Sequence, residues 1–251
     1  MAGAPVTSEF ALVLLVIAVA YTVKGVAGMG GPLLAVPFIA SFTSVEHAVV
    51  VLSLANQVSN AWLLWEHRAG AKGTGFVMIP FLAVGALAVI AGIWLLTEID
   101  DRILSVVIAV VIAAYVWRHF ANPAFGLDKG TARRMAAPMG LVGGGLLGAT
   151  GTAGPLIMTY LHSIRMSRSS FIHMMSLTFT VFGLIQLVTL VVLGAFTPER
   201  TTQAVWAILP VAAVTVVGIR LGRLINQKTF QWIVLVLLGF AAVRLLWSAL
   251  G

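Results

Sequence analysis

The chain has 251 residues, of which 60% are hydrophobic and only 9% are charged, and it contains no cysteine. Soluble globular domains carry about 25% charged residues, and a chain of this length cannot bury so much apolar surface in one core. The composition therefore excludes a water-soluble fold, and it also excludes disulfides and thiolate metal sites.

The formal net charge is +7. A basic chain can bind nucleic acid, but this sequence has no face rich in Lys and Arg with interleaved aromatic residues. Basic residues of membrane proteins collect in cytoplasmic loops instead. We therefore expect a lipid bilayer around the chain and no nucleic-acid partner.

The first apolar stretch, Phe10–Ala20, lacks the basic residues that open a signal peptide, because the first Lys or Arg is Lys24. We predict a retained helix over Glu9–Val23. A glycine-rich segment, Lys24–Pro32, separates it from a second short apolar run, Leu33–Phe42.

Longer stretches with few or no charges follow, and each is a candidate membrane helix, since a span requires roughly 20 apolar residues. They are Phe76–Thr97, Ile103–Trp117, Phe171–Thr197, Ala204–Ile219 and Thr229–Val243. They lack the alternation of polar and apolar residues that is typical of membrane β-strands. The sequence therefore predicts an all-α membrane protein.

An internal repeat divides the chain into two transmembrane halves, residues 1–125 and 126–251, within one integral membrane domain. Gly25–Leu33 aligns with Gly148–Leu156 at an offset of 123 residues, and both segments read Gly-x-x-Gly-x-x-Gly-Pro-Leu. Such duplication is typical of secondary transporters, whose substrate site lies where the halves meet.

A second register, at an offset of 130 residues, pairs Pro80 with Pro210. The second half also repeats the short apolar pair of the first, with Met135–Leu147 and Leu156–Leu161 on either side of its glycine-rich segment. The alternative interpretation is chance matching among common apolar residues.

Two topologies fit the short apolar pair that begins each half. The pair is either a re-entrant hairpin, followed by three spanning helices, or one broken helix that crosses the membrane. The hairpin topology leaves Lys24 and Arg244 inside apolar segments and puts nearly all other basic residues on one face, with only Arg102 and Arg200 opposite. The broken-helix topology divides them almost evenly. The positive-inside rule therefore favours the hairpin.

The hairpin topology gives each half an odd number of crossings, so the second half is upside down and the repeat is inverted. Both termini then lie outside, on the periplasmic face of a bacterial-type inner membrane.

The two glycine-rich segments are the predicted binding site. Pro32 and Pro155 suit the first turn of a new helix, so each half supplies a helix N-terminus with free N–H groups and partial positive charge. Two such ends that face each other make a site for an anion. The alternative is close helix packing through small residues, which we expect for Gly140–Gly148.

The predicted substrate-binding residues come from both glycine-rich segments, the lysine before the first one and the first full helix. They are Lys24, Gly28, Met29, Gly30, Gly31, Asn56, Gln57, Thr150, Gly151, Thr152, Ala153 and Gly154. An intramembrane lysine is costly enough to be a functional candidate, although a lysine also snorkels to the membrane surface.

Other polar residues leave alternatives open. The hydroxyls of Thr150 and Thr152 face the anion or bond back to a helix carbonyl. Asn56 and Asn60 share one helix face, where they bind the anion or join helices; the second role is favoured for Asn60. Gln186 is a candidate for the same cavity.

Protons are a candidate coupling ion, since His47 and His173 lie near the starts of their helices. A lone membrane histidine is more often structural. No His, Asp and Glu cluster has metal-ligand spacing, so we predict no metal and no cofactor.

The segment Gly28–Pro37 carries a Gly-x-Gly-Gly-like signature, and Gly151–Met158 carries a degenerate second copy. The chain resembles the TauE/SafE sulfite exporter family in this motif, in the repetition of the motif and in the length of the chain. The resemblance implies transport of sulfite, thiosulfate, sulfoacetate or related organosulfur anions. The chain departs from the family pattern at Pro32, Pro155, Ala153 and Tyr160.

We therefore predict a membrane transporter of a small anion that works by alternating access around a midplane site. An anion channel is the first alternative. A membrane-embedded enzyme is the second, and it is disfavoured because the apolar stretches almost lack carboxylates.

Overall fold

The computed structural model describes residues 8–27, 30–71, 75–121, 128–164 and 166–222, together with four helical positions nearer the C-terminus, 236, 239, 243 and 247. All regular structure in these residues is helical, which confirms the predicted all-α class. The helices are α1 (Ser8–Ala27), α2 (Gly31–Ala40), α3 (Val45–Glu66), α4 (Gly75–Glu98), α5 (Asp101–Ala121), α6 (Lys129–Thr150), α7 (Gly154–Ser163), α8 (Arg168–Val192) and α9 (Pro198–Leu221), with a 3-10 turn at Arg68–Ala71 after α3.

The surface of the helix bundle is apolar, as a lipid environment requires. Ile79 and Leu87 on α4 are each 72% exposed, and Leu209 on α9 is 68% exposed. Four described helices are long and apolar enough to cross a bilayer: Val45–Glu66, Met78–Glu98, Ser169–Val192 and Pro198–Leu221. Apolar surface of this extent marks contact with lipid rather than with water.

Both glycine-rich segments break a helix, as predicted. Gly30 precedes α2 with a φ of 106°, and Gly151 ends α6 with a φ of 68°. Residues with a Cβ avoid this backbone region, so glycine permits both breaks. Pro32 lies in the first turn of α2, and Pro155 is the second residue of α7. Gly28 and Met29 lie outside the described residues.

The helices before the two breaks are longer than predicted. α1 continues through Lys24 and Gly25 to Ala27, because Gly25 packs closely against Gly218 of α9 instead of breaking the helix. α6 begins at Lys129 because the Asp128 carboxylate caps it and accepts the backbone N–H groups of Gly130 and Thr131. A cap of this kind lets polar residues start a helix.

The helix boundaries follow the offset of 123 residues. Helix α7 begins and ends 123 residues after α2, and α9 begins and ends 123 residues after α4. The predicted second register of 130 residues is wrong for α4 and α9, because Pro80 lies near the start of α4 whereas Pro210 lies at the middle of α9.

The two most extensive helix contacts join the halves. α4 packs on α6 through glycines at the contact, where Gly85 meets Gly144 and Gly92 meets Gly148; α1 packs on α9 in the same way. The offset of 123 converts the α4–α6 pair into the α9–α1 pair. Glycine allows this backbone approach, and Gly140–Gly148 pack as we expected.

The equivalent helices α3 and α8 contact each other and run antiparallel. The Gln57 side chain, at the middle of α3, packs on Gly183 of α8, and Gly70, just after α3, packs on Ser169 at the start of α8. This end of the bundle carries Arg68. We call it the basic end.

Polar contacts between the halves form at the other end of the bundle, which we call the acidic end. The Arg200 guanidinium donates to the Glu46 carboxylate over 2.6 Å. His47 Nε2 lies 2.8 Å from Gln203 Oε1. At the same end, within the first half, the Val45 N–H donates to Asp101 Oδ1 over 2.7 Å.

Candidate functional site

A small cavity lies where the two helix breaks meet. Its lining comes from both halves of the chain: Lys24, Gly30, Pro32, Leu33, Asn56, Gly151, Thr152, Ala153, Gly154 and Phe179. Asn56 lies at the middle of α3, and Phe179 lies near the middle of α8. The cavity therefore lies about halfway along α3 and α8, and both of these helices are long enough to span a bilayer.

Lys24 is the charged group of the cavity, and it is 1% exposed. Its ammonium donates to Asn56 Oδ1 and to Asn60 Oδ1, each over 2.5 Å. The ammonium also lies 5.3 Å from the centre of the Tyr21 ring, within the range of a cation–π contact. An ammonium has three N–H donors, so one remains after both amide bonds.

The positive charge of Lys24 has no carboxylate partner in the described part of the chain. No Asp or Glu occurs among the residues found buried in the described ranges, and the carboxylate of Glu46 pairs with Arg200. A buried charge is normally paired, because removing an ion from water costs several kcal/mol or more. Amide oxygens solvate the ammonium but leave its charge uncompensated.

Two helix N-termini add positive potential at the same cavity. Gly30 precedes α2, and Ala153 precedes α7; both residues line the cavity. The first N–H groups of a helix have no partner within the helix, and each N-terminus carries roughly half an elementary charge. The cavity therefore combines one ammonium with two positive helix ends, which is an arrangement that favours an anion.

The structure brings together seven of the predicted site residues at the cavity: Lys24, Gly30, Asn56, Gly151, Thr152, Ala153 and Gly154. Gly31 lies beside it against Tyr21 and the Lys24 side chain. The Thr150 hydroxyl lies 2.7 Å from the Leu146 carbonyl and 2.9 Å from the Thr152 carbonyl, so it serves the helix end.

Gln57 is not among the lining residues of the cavity, and its side chain packs against Gly183. Gln186, also a candidate for the cavity, donates to the Leu147 carbonyl over 3.0 Å and so joins α8 to α6. His47 lies at the acidic end. His173 lies near Leu64 and His67, at the basic end of α3.

Sequence reasoning missed Leu33 and Phe179 as lining residues and favoured a packing role for Asn60. Apolar residues give no signal in an apolar chain. The sequence did contain a signal for Asn60, because it follows Asn56 by one helical turn and so lies on the same face of α3. In the structure both amides bind the ammonium of Lys24.

The cavity measures about 10 Å³, which is room for about one water molecule. An anion of four or more heavy atoms does not fit this volume unless the surrounding helices move apart. No group of three or more His, Asp or Glu residues suited to a metal ion occurs in the described ranges.

A comparison with protein-family models matches residues 13–245 to the family described as sulfite exporter TauE/SafE. Comparisons with curated proteins and with solved structures gave no match. The matched region covers both helix breaks and most of the chain. With its apolar helices and this match, the chain is a multi-pass membrane protein that belongs to the TauE/SafE sulfite exporter family, a family of membrane transporters.

Proposed function

We propose that the chain moves a small sulfur oxyanion or organosulfonate, of the sulfite, thiosulfate or sulfoacetate type, across the membrane by alternating access. The anion binds between the two helix breaks. Lys24 compensates its charge, and the N-termini of α2 and α7 supply backbone N–H groups. The site has two sides. One is the segment Gly28-Met29-Gly30-Gly31, and the other is the segment Gly151-Thr152-Ala153-Gly154.

The observation that carries the proposal is the uncompensated, fully buried ammonium of Lys24 at a cavity formed by both helix breaks. A structural lysine at this depth is expected to pair with a carboxylate or to reach the membrane surface. Lys24 does neither. An anionic ligand would supply the missing counter-charge.

The antiparallel contact of α3 with α8 supports an inverted repeat of residues 1–125 and 126–251. The broken-helix topology makes the repeat parallel and requires these equivalent helices to run in the same direction. In the inverted arrangement the two breaks approach each other from opposite faces, and alternate opening on either side exposes one central site. The small cavity supports a cycle in which the site closes around its ligand.

The charge distribution supports an orientation in the bacterial inner membrane with the basic end in the cytoplasm. The acidic end and both ends of the chain then face the periplasm. Protons are the proposed coupling ion, for which the buried His173 is the candidate group.

A flux assay in proteoliposomes tests the proposal. We expect saturable transport of at least one of sulfite, thiosulfate, taurine and sulfoacetate, with a different rate when a proton gradient is imposed. Flux that does not saturate, together with single-channel currents, would assign the chain as an anion channel instead. Absence of flux for every sulfur anion would contradict the substrate class.

A further inference from the structure

We propose that the anion passes between the cavity and the cytoplasmic solution along the α3–α8 contact, towards the basic end. This inference rests on the proposed function, because it assigns a route to the site proposed there. It assigns a role to polar side chains of α3 and α8 that lie between the cavity and the basic end.

Buried polar atoms without a hydrogen-bond partner among the described residues concentrate on the facing sides of α3 and α8. Six of the eight such atoms lie there, namely Gln57 Nε2 and Oε1, Asn60 Nδ2, His173 Nδ1, Ser176 Oγ and Thr180 Oγ1; the other two are Tyr21 Oη and Thr178 Oγ1. An unpaired buried polar group is costly, and native proteins contain few of them. Their concentration on one helix contact requires a physical reason.

These side chains form a continuous column. His173, Ser176, Thr180 and Gly183 recur at intervals of three or four residues, so they share one side of α8. Gly183 on that side packs against Gln57.

One end of the column lies at the cavity, and the other lies at the basic end. Phe179, on the same side of α8, lines the cavity, and Asn60 binds Lys24. His173 lies near Leu64 and His67, where α3 ends.

The two ends of the bundle differ in how well their polar groups are paired. At the acidic end, Glu46, His47 and Asp101 all have partners on other helices. The α3–α8 contact towards the basic end instead contains several buried polar atoms that lack a partner among the described residues. These atoms gain partners when the two helices separate and water enters, so the state with the basic end open is the one that satisfies them.

The chemistry of the column suits passage rather than tight binding. Hydroxyl, amide and imidazole groups replace part of the water around an anion, but they add no fixed charge. A path must bind an ion well enough to admit it and weakly enough to release it. The charged anchor, Lys24, lies where the column meets the cavity.

The absence of native cysteine allows a direct test with single cysteines. Ser176→Cys probes the column, and Thr178→Cys is the matched control, because Thr178 lies on the opposite side of α8 and both residues are 0% exposed. Each variant is treated with a membrane-impermeant methanethiosulfonate from the basic side of membrane vesicles, and labelling is followed by mass spectrometry.

We expect Ser176→Cys to be labelled at least about tenfold faster than Thr178→Cys, as for a site exposed in a minor open state. We also expect sulfite to slow this labelling and the attached group to block flux. Equal labelling of the two variants, or no labelling at position 176, would overturn the proposed route.

Thr180→Cys, on the same side of α8, replaces Ser176→Cys if that variant does not fold. Labelling is measured independently of transport. Absence of flux from the unmodified wild-type protein would therefore count against the proposed function, whereas an unlabelled column in a transporting protein would count against the route alone.

Discussion

Around the cavity, the first half of the chain presents an ammonium ion and two amides, whereas the second half presents apolar groups at the equivalent positions. The pairs related by the offset of 123 residues are Lys24 and Leu147, Asn56 and Phe179, and Asn60 and Gly183. The helix breaks themselves are similar in both halves, with Gly30 and Ala153 each preceding a short helix. The positions of the helices thus recur at this offset, but the charged and amide side chains do not.

This difference has a physical consequence for an anion at the centre. Two symmetric helix ends alone hold an anion equally from both sides. One ammonium on one side shifts the balance, so in the proposed function the first half anchors the ligand and the second half mainly shapes the space.

The largest expected effect comes from removing the anchor. Lys24→Met keeps the length of the side chain and removes its charge, so we expect anion affinity to fall about 10- to 100-fold, as for the loss of a hydrogen bond to a charged group. Binding of sulfite to the purified variant by calorimetry measures this change.

Arg102→Met is the control for charge alone, since Arg102 is exposed at the start of α5. Its affinity should stay within about threefold of wild type, because a distant surface charge is screened. Equal losses in the two variants, or unchanged affinity in Lys24→Met, would remove Lys24 from the binding site.

The two breaks differ in how much space surrounds their glycines. Gly151→Ala combines a positive φ with a Cβ placed 2.6 Å from Val49 Cγ2, whereas the nearest atom to a Cβ at Gly30 is Val23 Cγ1 at 3.5 Å. We expect the free energy of unfolding to fall by about 2–4 kcal/mol for Gly151→Ala and by about 1–2 kcal/mol for Gly30→Ala. Denaturant unfolding in detergent, followed by tryptophan fluorescence, compares them. The reverse order would contradict the described packing.

A matched pair of leucine substitutions compares equivalent positions on α3 and α8. Asn56→Leu removes an acceptor from a buried ammonium, so we expect a loss of about 1.5–3 kcal/mol in the free energy of unfolding. Phe179→Leu removes apolar contacts alone and should cost about 1 kcal/mol. Similar losses at both positions would mean that the amide of Asn56 does not stabilise the charge. The same unfolding assay applies.

The smallest effect is expected at the acidic end. Glu46→Gln breaks the ion pair with Arg200. The Glu46 side chain is 31% exposed and the Arg200 side chain is 19% exposed. Partly exposed pairs contribute at most about 1 kcal/mol, so the unfolding midpoint should change little. Glu199→Gln, next to the same helix start, is the control. A much larger loss would show that this contact, rather than the glycine packing, holds the halves together.

The sequence was sufficient for the parts of the fold that depend on local chemistry. The apolar stretches predicted the helices, and Pro32 and Pro155 located the starts of α2 and α7. The lengths of α1 and α6 were not predictable in the same way. Gly25 stays helical because a distant helix packs on it, and no local pattern reports such a contact.

The candidate site shows the same division. Lys24 and Asn56 were predictable because polar groups are conspicuous in an apolar chain. Phe179 was not, since its place at the cavity depends on the antiparallel contact of α3 with α8. Thr150 and Thr152 look alike in sequence, but only Thr152 lines the cavity, because the Thr150 hydroxyl bonds to backbone carbonyls at the helix end.

The packing of α1 on α9 constrains the order in which the protein assembles during synthesis. During synthesis, α1 leaves the ribosome long before α9, the helix whose Gly218 fits against Gly25. Its lysine meets Asn56 and Asn60 much earlier, when α3 emerges. The nascent chain therefore shelters its charge first and acquires its tightest helix partner only near the end of translation, so a ribosome that stalls before α9 leaves a glycine-faced helix exposed to lipid and to quality-control proteases.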